Sequence, residues 1–200
     1  NAATASSVLL DYNRFQNNTT VYDGTKAAYT MPHSDGSTTS EIYGGISYAE
    51  NTTAKNHLTI KNLHQDTDSA YGGKTAGASG SSVKNSVTVA GTGTHALKNI
   101  YGGYAENAAH DGAATENTVT ITGGTISGSI YGGYTSGTGK ATGNTVNLGD
   151  ALHDRLAAGT NLEHATLYGG NKENDVTGNT LNIYAKNAVV HSVKNFDKYV

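Results

Sequence analysis

The sequence predicts an all-β fold built by repetition, a parallel β-helix (β-solenoid) of about five rungs. Three observations predict it. The phrase Tyr-Gly-Gly recurs at Tyr43-Gly44-Gly45, Tyr71-Gly72-Gly73, Tyr101-Gly102-Gly103, Tyr131-Gly132-Gly133 and Tyr168-Gly169-Gly170, at intervals of 28, 30, 30 and 37 residues. A second phrase, Asn-x-(Leu/Val)-(Thr/Asn)-(Ile/Val/Leu), alternates with the first and begins at Asn56, Asn85, Asn117, Asn144 and Asn179. The composition is poor helix material, with 26 Gly, 28 Thr and 20 Asn in 200 residues. Gly loses backbone entropy in a helix, Thr crowds the preceding turn and Asn competes for local hydrogen bonds.

Residues 1–40 match the repeat poorly and read as an N-terminal cap or a degenerate first coil. Ser7-Val8-Leu9-Leu10-Asp11-Tyr12 has the apolar content of a strand. Asn18-Thr19-Thr20-Val21-Tyr22 is a candidate degenerate copy of the Asn phrase, and Pro32 with Asp35-Gly36-Ser37 marks a loop. A first coil would otherwise expose an unpaired strand edge, so an atypical end is expected there.

Residues 41–200 carry the regular repeat. In Asn117-Thr118-Val119-Thr120-Ile121 the side chains alternate, so Asn117, Val119 and Ile121 share one face and Thr118 and Thr120 the other. The first set reads as buried. A buried Asn needs partners, and Asn amides stacked coil on coil supply them as a ladder. Gly123-Gly124 then turns into a short second strand, Thr125-Ile126-Ser127, with expected counterparts at Asn62-Leu63-His64 and His95-Ala96-Leu97. A third strand carries Ile130-Tyr131-Gly132. A polar loop returns to the next Asn. No helical segment separates the strands, which disfavours a βαβ sheet.

The fourth copy carries an insertion, residues 149–167. Within it Asp150-Ala151-Leu152-His153-Asp154-Arg155-Leu156 reads as a short helix, with Asp150 at its N-cap and Leu152 and Leu156 on one face. The last part, 185–200, starts a further copy without reaching Tyr-Gly-Gly, so the repeat is expected to continue past the C-terminus.

The candidate functional face is the tyrosine column, Tyr43, Tyr71, Tyr101, Tyr131 and Tyr168, extended by Tyr104 and Tyr134. If the Ile or Leu before each Tyr points inward, the Tyr points outward and the rings line one side. Such a surface suits sugar rings or the apolar surface of a partner, because Tyr joins area to a hydroxyl. The competing reading is that Tyr only stacks coil on coil, with Gly-Gly supplying positive φ for a turn. The inward orientation of Tyr is also open.

Other chemistries find less support. Asp66/Asp68 and Asp150/Asp154 are the close acid pairs, both in loops, where a glycosidase needs two carboxyls set across a cleft. The histidines (His33, His57, His64, His95, His110, His153, His164 and His191) show no metal-ligand spacing, although His153 and His164 share the insertion. The outward Thr pairs, such as Thr118 and Thr120, are too irregular from copy to copy for an ice-binding face. Lysines are dispersed, which argues against nucleic acid. No apolar run is long enough to span a membrane as a helix. There is no Cys, so disulfide and Cys-zinc frameworks are excluded. No cofactor or metal site is expected.

Ile130-Tyr131-Gly132-Gly133-Tyr134, together with Asn117-Thr118-Val119-Thr120-Ile121 followed by Gly123-Gly124-Thr125, resembles the passenger-domain repeats of large Gram-negative autotransporters (type V secretion). Asn195-Phe196-Asp197-Lys198-Tyr199 is similar to a phrase that follows such arrays. The resemblance covers roughly residues 41–200. It implies a right-handed winding, export through the periplasm and display on the bacterial cell surface, attached to an outer-membrane β-barrel absent from this sequence. It also implies a non-enzymatic role in adhesion, with a glycan or protein of a host or neighbouring cell as partner. The alternatives are a structural stalk that presents a distal binding head and, less favoured, a polysaccharide-active enzyme.

Overall fold

Thr and β-branched residues at alternate positions favour a pleated, half-buried strand, and the chain stacks such strands in one direction. A computed structural model of the protein describes residues 16–23, 41–48, 52–63, 65–77, 79–106, 111–152 and 154–200. It is an all-β solenoid of about five turns, wound from parallel sheets.

The first face is a seven-stranded sheet. Its strands, in order, are Thr19–Asp23, His57–Asn62, Ser86–Val89, Thr118–Ile121, Thr145–Leu148, Thr180–Ile183 and Lys198–Tyr199. The second face, eight-stranded, runs through Glu41–Tyr43, Thr67–Thr75, Ala96–Ala105, Ser129–Thr135, Thr166–Tyr168 and Ser192–Lys194, with Ile46–Ser47 and Thr125–Ile126 beside it. The third face has three short strands, Thr53–Ala54, Ser82–Val83 and Ala114–Thr115.

Register is kept residue for residue. Val119 pairs with Val87 on one side and Val146 on the other, and Ile121 with Val89 and Leu148. These side chains point inward, as the alternation predicts, and meet Leu97, Ile100, Ile126, Ile130 and Leu167 from the second face in one core. Each such burial stabilises by about 1.5–3 kcal/mol. Because every coil repeats the same contacts, stability accumulates along the stack.

The Asn ladder is present and extends to six residues. The backbone N–H and the Nδ2 of Asn56 both donate to Asn85 Oδ1, at 3.0 and 2.8 Å. Asn85 does the same to Asn117 at 2.9 and 3.2 Å, and Asn117 to Asn144 at 3.0 and 3.1 Å. Asn144 continues to Asn179. Asn18 joins from the other end, donating to Asn56 at 3.1 and 2.8 Å. The second amide hydrogen goes to a third-face carbonyl: Thr53, Ser82 and Ala114 for Asn85, Asn117 and Asn144. Only a side chain with two donors and a carbonyl oxygen on one carbon satisfies this pattern, and Asn has that inventory.

The residue before each ladder Asn turns a corner in the left-handed region. The φ values are 57° at Asn17, 54° at Lys55, 55° at Lys84, 56° at Glu116, 68° at Gly143 and 70° at Gly178. This column swings the chain onto the first face.

The Tyr-Gly-Gly glycines have a different reason from the turn expected of them. None of the ten has positive φ. They are needed for space. A Cβ on Gly45 would lie 2.6 Å from the Asn56 carboxamide, and one on Gly73 or Gly133 would lie 2.5 Å from that of Asn85 or Asn144. A Cβ on the preceding glycine, Gly44 or Gly102, would lie 2.5 Å from the carbonyl oxygen of the next coil's glycine.

Two further expectations are corrected by the structure. The segment 150–156 is not helical in its described residues. Asp150 Oδ1 accepts the Leu152 N–H at 2.8 Å in a local turn, Leu152 is 89% exposed and Leu156 6% exposed, so the two leucines do not share a face. Asp satisfies a nearby N–H outside a helix as well as at an N-cap, and here the turn wins. Thr125 and Ile126 pair with Ala96 and Leu97, and Leu97 pairs in turn with Thr67, so Leu63, although buried in the core, is not their strand counterpart. In residues 1–40, Thr19–Asp23 pairs in parallel with His57–Asn62 as the degenerate Asn phrase predicts. The strand at Ser7–Tyr12 and the loop at Pro32 lie outside the described residues.

Candidate functional site

Ile42, Ile100, Ile130 and Leu167 are buried in the core. Strand alternation therefore turns the Tyr that follows each of them outward. Parallel register then places Tyr43 beside Tyr71, Tyr71 beside Tyr101, Tyr101 beside Tyr131 and Tyr131 beside Tyr168. Ring centroids along this column are 5.1, 5.0, 5.1 and 4.7 Å apart, with interplanar angles of 11°, 8°, 2° and 14°. Tyr104 and Tyr134 form a second column, 4.8 Å apart and 3° from parallel. They meet the first column edge-on: Tyr101 and Tyr104 are 5.0 Å apart at 89°, and Tyr131 and Tyr134 are 5.2 Å apart at 85°. Both geometries are favoured pairings of aromatic quadrupoles.

All seven expected tyrosines thus lie on one face. Ring faces within a column are turned to neighbouring rings, so solvent meets ring edges and hydroxyls. Tyr71 is buried, at 5% exposure, beneath Tyr43, Tyr101 and Tyr104; the other six are half-buried. Burial pushes the phenols of Tyr43, Tyr71, Tyr101, Tyr104 and Tyr131 upward from their ordinary value. The Glu41 carboxylate is the next cause at Tyr43 and Tyr71. These phenols are donors that keep their protons.

Three charged residues frame the face, and sequence reasoning passed over them. Glu41, two residues before Tyr43 on the same strand, accepts the hydroxyl of Tyr43 and that of Tyr71, the latter at 2.9 Å. Lys74 occupies the place that Tyr104 holds one coil later. Its Nζ lies 5.0 Å from the Tyr71 ring centre and 5.4 Å from that of Tyr104, 3.2 Å from Glu106 and 4.0 Å from Glu41. Lys194 pairs with Tyr168, and its Nζ lies 5.8 Å over that ring. The signal was available: Lys74 stands three residues after Tyr71, as Tyr104 stands three after Tyr101.

Three of the four paired acids are engaged elsewhere, Asp150 in the turn with Leu152, and Asp68 lies in the strand Thr67–Thr75 rather than in a loop. Asp66 Oδ1 accepts the Ala96 N–H at 2.9 Å and lies 3.4 Å from His95 Nδ1. Asp154 pairs with Lys186 at 2.9 Å, and that hydrogen bond holds its carboxyl below the usual range. Among the described residues no three His, Cys, Asp or Glu side chains gather as a metal site. His164 is exposed in the insertion; its suggested companion His153 is outside the described residues. The insertion forms a groove of about 350 Å³, with Leu156, Leu162 and Val189 beside Thr160, Asn161 and Glu163. No family model matches the chain, and no curated protein and no solved structure is found similar to it.

Proposed function

We propose that this chain is a non-enzymatic segment of a bacterial cell-surface passenger, of the autotransporter kind, which takes part in adhesion through its tyrosine face. The observation that carries the reading is the register-locked pair of tyrosine columns. Six half-buried rings on one side of the solenoid present apolar edges and, apart from the Tyr43 and Tyr71 hydroxyls that donate to Glu41, a row of phenolic hydroxyls, without the entropy cost of ordering long side chains. The repeat phrases resemble those of type V passengers, and a parallel solenoid is the architecture that the resemblance implies, including its right-handed winding. The partner is a glycan or protein of a host or neighbouring cell. An outer-membrane β-barrel elsewhere in the full protein would anchor it.

The test is binding of the purified chain to a broad glycan array and to intact epithelial and bacterial cells. Tyr101→Phe/Tyr131→Phe and Tyr101→Ala/Tyr131→Ala variants run beside it. Saturable binding that weakens in both folded variants supports the reading. Binding unchanged in both moves the site to the loops, with the groove at Leu156 and Leu162 next. No binding at all rejects adhesion by this segment.

A second reading, a spacer stalk, has its own observation. Ring faces are taken up in mutual stacking, which ties successive coils together and leaves only edges for a ligand. The enzyme reading has least support, since Asp66 and Asp154 are already paired with His95 and Lys186; turnover in a screen of acidic polysaccharides would restore it.

A further inference from the structure

We propose that the tyrosine column is an oxidative cross-linking site, at which a haem peroxidase and peroxide join Tyr43 to Tyr71 as dityrosine, with Glu41 accepting the phenolic proton of each in turn. The proposal stands apart from the adhesion reading and needs no ligand.

Coupling two phenols requires their ortho carbons to meet, and a base held on each hydroxyl eases loss of the proton that accompanies the electron. The structure sets two stacked rings and such a base at one place. Tyr43 and Tyr71 are stacked at 5.1 Å and 11°. Their hydroxyls converge on the two oxygens of the Glu41 carboxylate. One carboxylate bridging the two hydroxyls keeps the hydroxyl ends of the stacked rings on the same side, and the carbons beside those hydroxyls are the ones that bond. Lys74, with its Nζ 4.0 Å from Glu41, helps fix the carboxylate over the pair.

Each phenol loses one electron and one proton and becomes a phenoxyl radical. The two radicals pair at the carbons ortho to oxygen, and a carbon–carbon bond forms. Each of these carbons then loses its hydrogen as a proton while its ring oxygen regains one. The net loss is two electrons and two protons, which one hydrogen peroxide accepts to leave as two waters. Tyr71 is too buried to meet a peroxidase directly. The column provides the route: Tyr101, Tyr131 and Tyr168 follow at 5.0, 5.1 and 4.7 Å, so a ring oxidised further along draws its electron from the next. The product is a covalent staple between successive coils.

Tyr48, Tyr184 and Tyr199 are exposed, lie outside both columns and serve as internal controls. The experiment treats the full chain, dilute, with horseradish peroxidase and limiting peroxide. Dityrosine fluorescence gives the rate, and mass spectrometry of the digest identifies the joined peptides. The expected product is one chain lighter by two hydrogens, with Tyr43 joined to Tyr71, formed in the folded protein and not in urea. Tyr71→Phe should remove this product. Glu41→Gln should slow it several-fold with the β signal retained. Should Glu41→Gln fail to fold, the wild-type map and Tyr71→Phe still decide. Dityrosine formed only between chains, only at Tyr48, Tyr184 or Tyr199, or not at all overturns the proposal. Coupling elsewhere in the column but never between Tyr43 and Tyr71 overturns it as well, since Glu41 then directs nothing.

Discussion

Gly103 lies against the carboxamide of Asn117, so close that the Cβ of any other residue would fall on the amide. The two motifs of the repeat are therefore one device: the second glycine of Tyr-Gly-Gly makes room for the Asn that bonds coil to coil. Gly103→Ala should destabilise by about 1–3 kcal/mol through overpacking. Asn117→Ala should cost about as much, because buried N–H groups of Asn85 lose their acceptor. The double variant should cost less than the sum, since removing the amide frees the space the methyl needs. Urea melts of the four proteins check this; additive losses would separate the two motifs.

The corner column gives a second prediction, of opposite sign at different positions. Glu116 adopts φ 56° and Lys84 φ 55°, a region that costs an L-residue about 1–2 kcal/mol. Glu116→Gly should therefore stabilise, by about 1 kcal/mol after the added freedom of the unfolded chain is subtracted. The Lys84–Glu116 ion pair that is lost spans 3.4 Å between side chains more than half exposed, so its removal costs little. Gly143→Ala should destabilise by about 1 kcal/mol for the same reason. A Cβ there meets nothing nearer than Glu116 Cγ at 3.6 Å, so the backbone alone sets the loss. Thermal melts with the opposite order would reject the corner account.

Much of this was legible in the sequence, and the limits have physical causes. The alternation in Asn117–Ile121 fixes which residues are inside, and a buried Asn at one parity in five copies leaves a ladder as its natural partner set. The corner was hidden because Lys, Glu, Asn and Gly share no chemistry; what they share is φ, which a sequence does not display. The leucines at 152 and 156 have helical spacing, but Asp150 closes a turn on the Leu152 N–H, and Leu152 is exposed while Leu156 is buried. Lys74 and Glu41 were passed over because their roles arise across coils, about thirty residues apart in sequence and one rung apart in space. The direction of the Tyr rings stayed open in the sequence, because it depends on which way the preceding residue points, and the burial of Ile42, Ile100, Ile130 and Leu167 decides it. The herringbone arrangement of the rings needed the offset of three residues between the two columns to be read as spatial.

The raised phenols predict an alkaline transition. Tyr43, Tyr71, Tyr101 and Tyr104 hold their protons more tightly folded than unfolded, chiefly because burial disfavours the phenolate. A group whose folded value lies above its unfolded one, here about 10, contributes fully below that pH. The contribution is then lost as pH rises toward the folded value. Stability should be insensitive to these groups up to about pH 10 and fall above it. Phenolate absorbance from these four should appear together with loss of the far-ultraviolet β signal. Ionisation of all thirteen tyrosines while that signal persists would contradict the burial of the column.

Ring and hydroxyl can be separated by substitution, which decides between the two readings of the face. Tyr101→Phe/Tyr131→Phe keeps both rings and so keeps the stacks with Tyr71, Tyr104, Tyr134 and Tyr168. Its stability should stay within about 1 kcal/mol of the wild type, since only partly exposed hydroxyls are removed. Tyr101→Ala/Tyr131→Ala removes two rings from the middle of the column. Each aromatic pair contributes about 0.5–1.5 kcal/mol beyond its buried area, so this variant should lose several kcal/mol. If the face is adhesive, the Phe variant weakens binding while its melt is unchanged, because a partner reads the hydroxyl row. If the face is only a spine, the Phe variant behaves as wild type in every cell assay and the Ala variant fails by unfolding. Denaturant midpoints measured alongside cell binding for the same preparations distinguish the two.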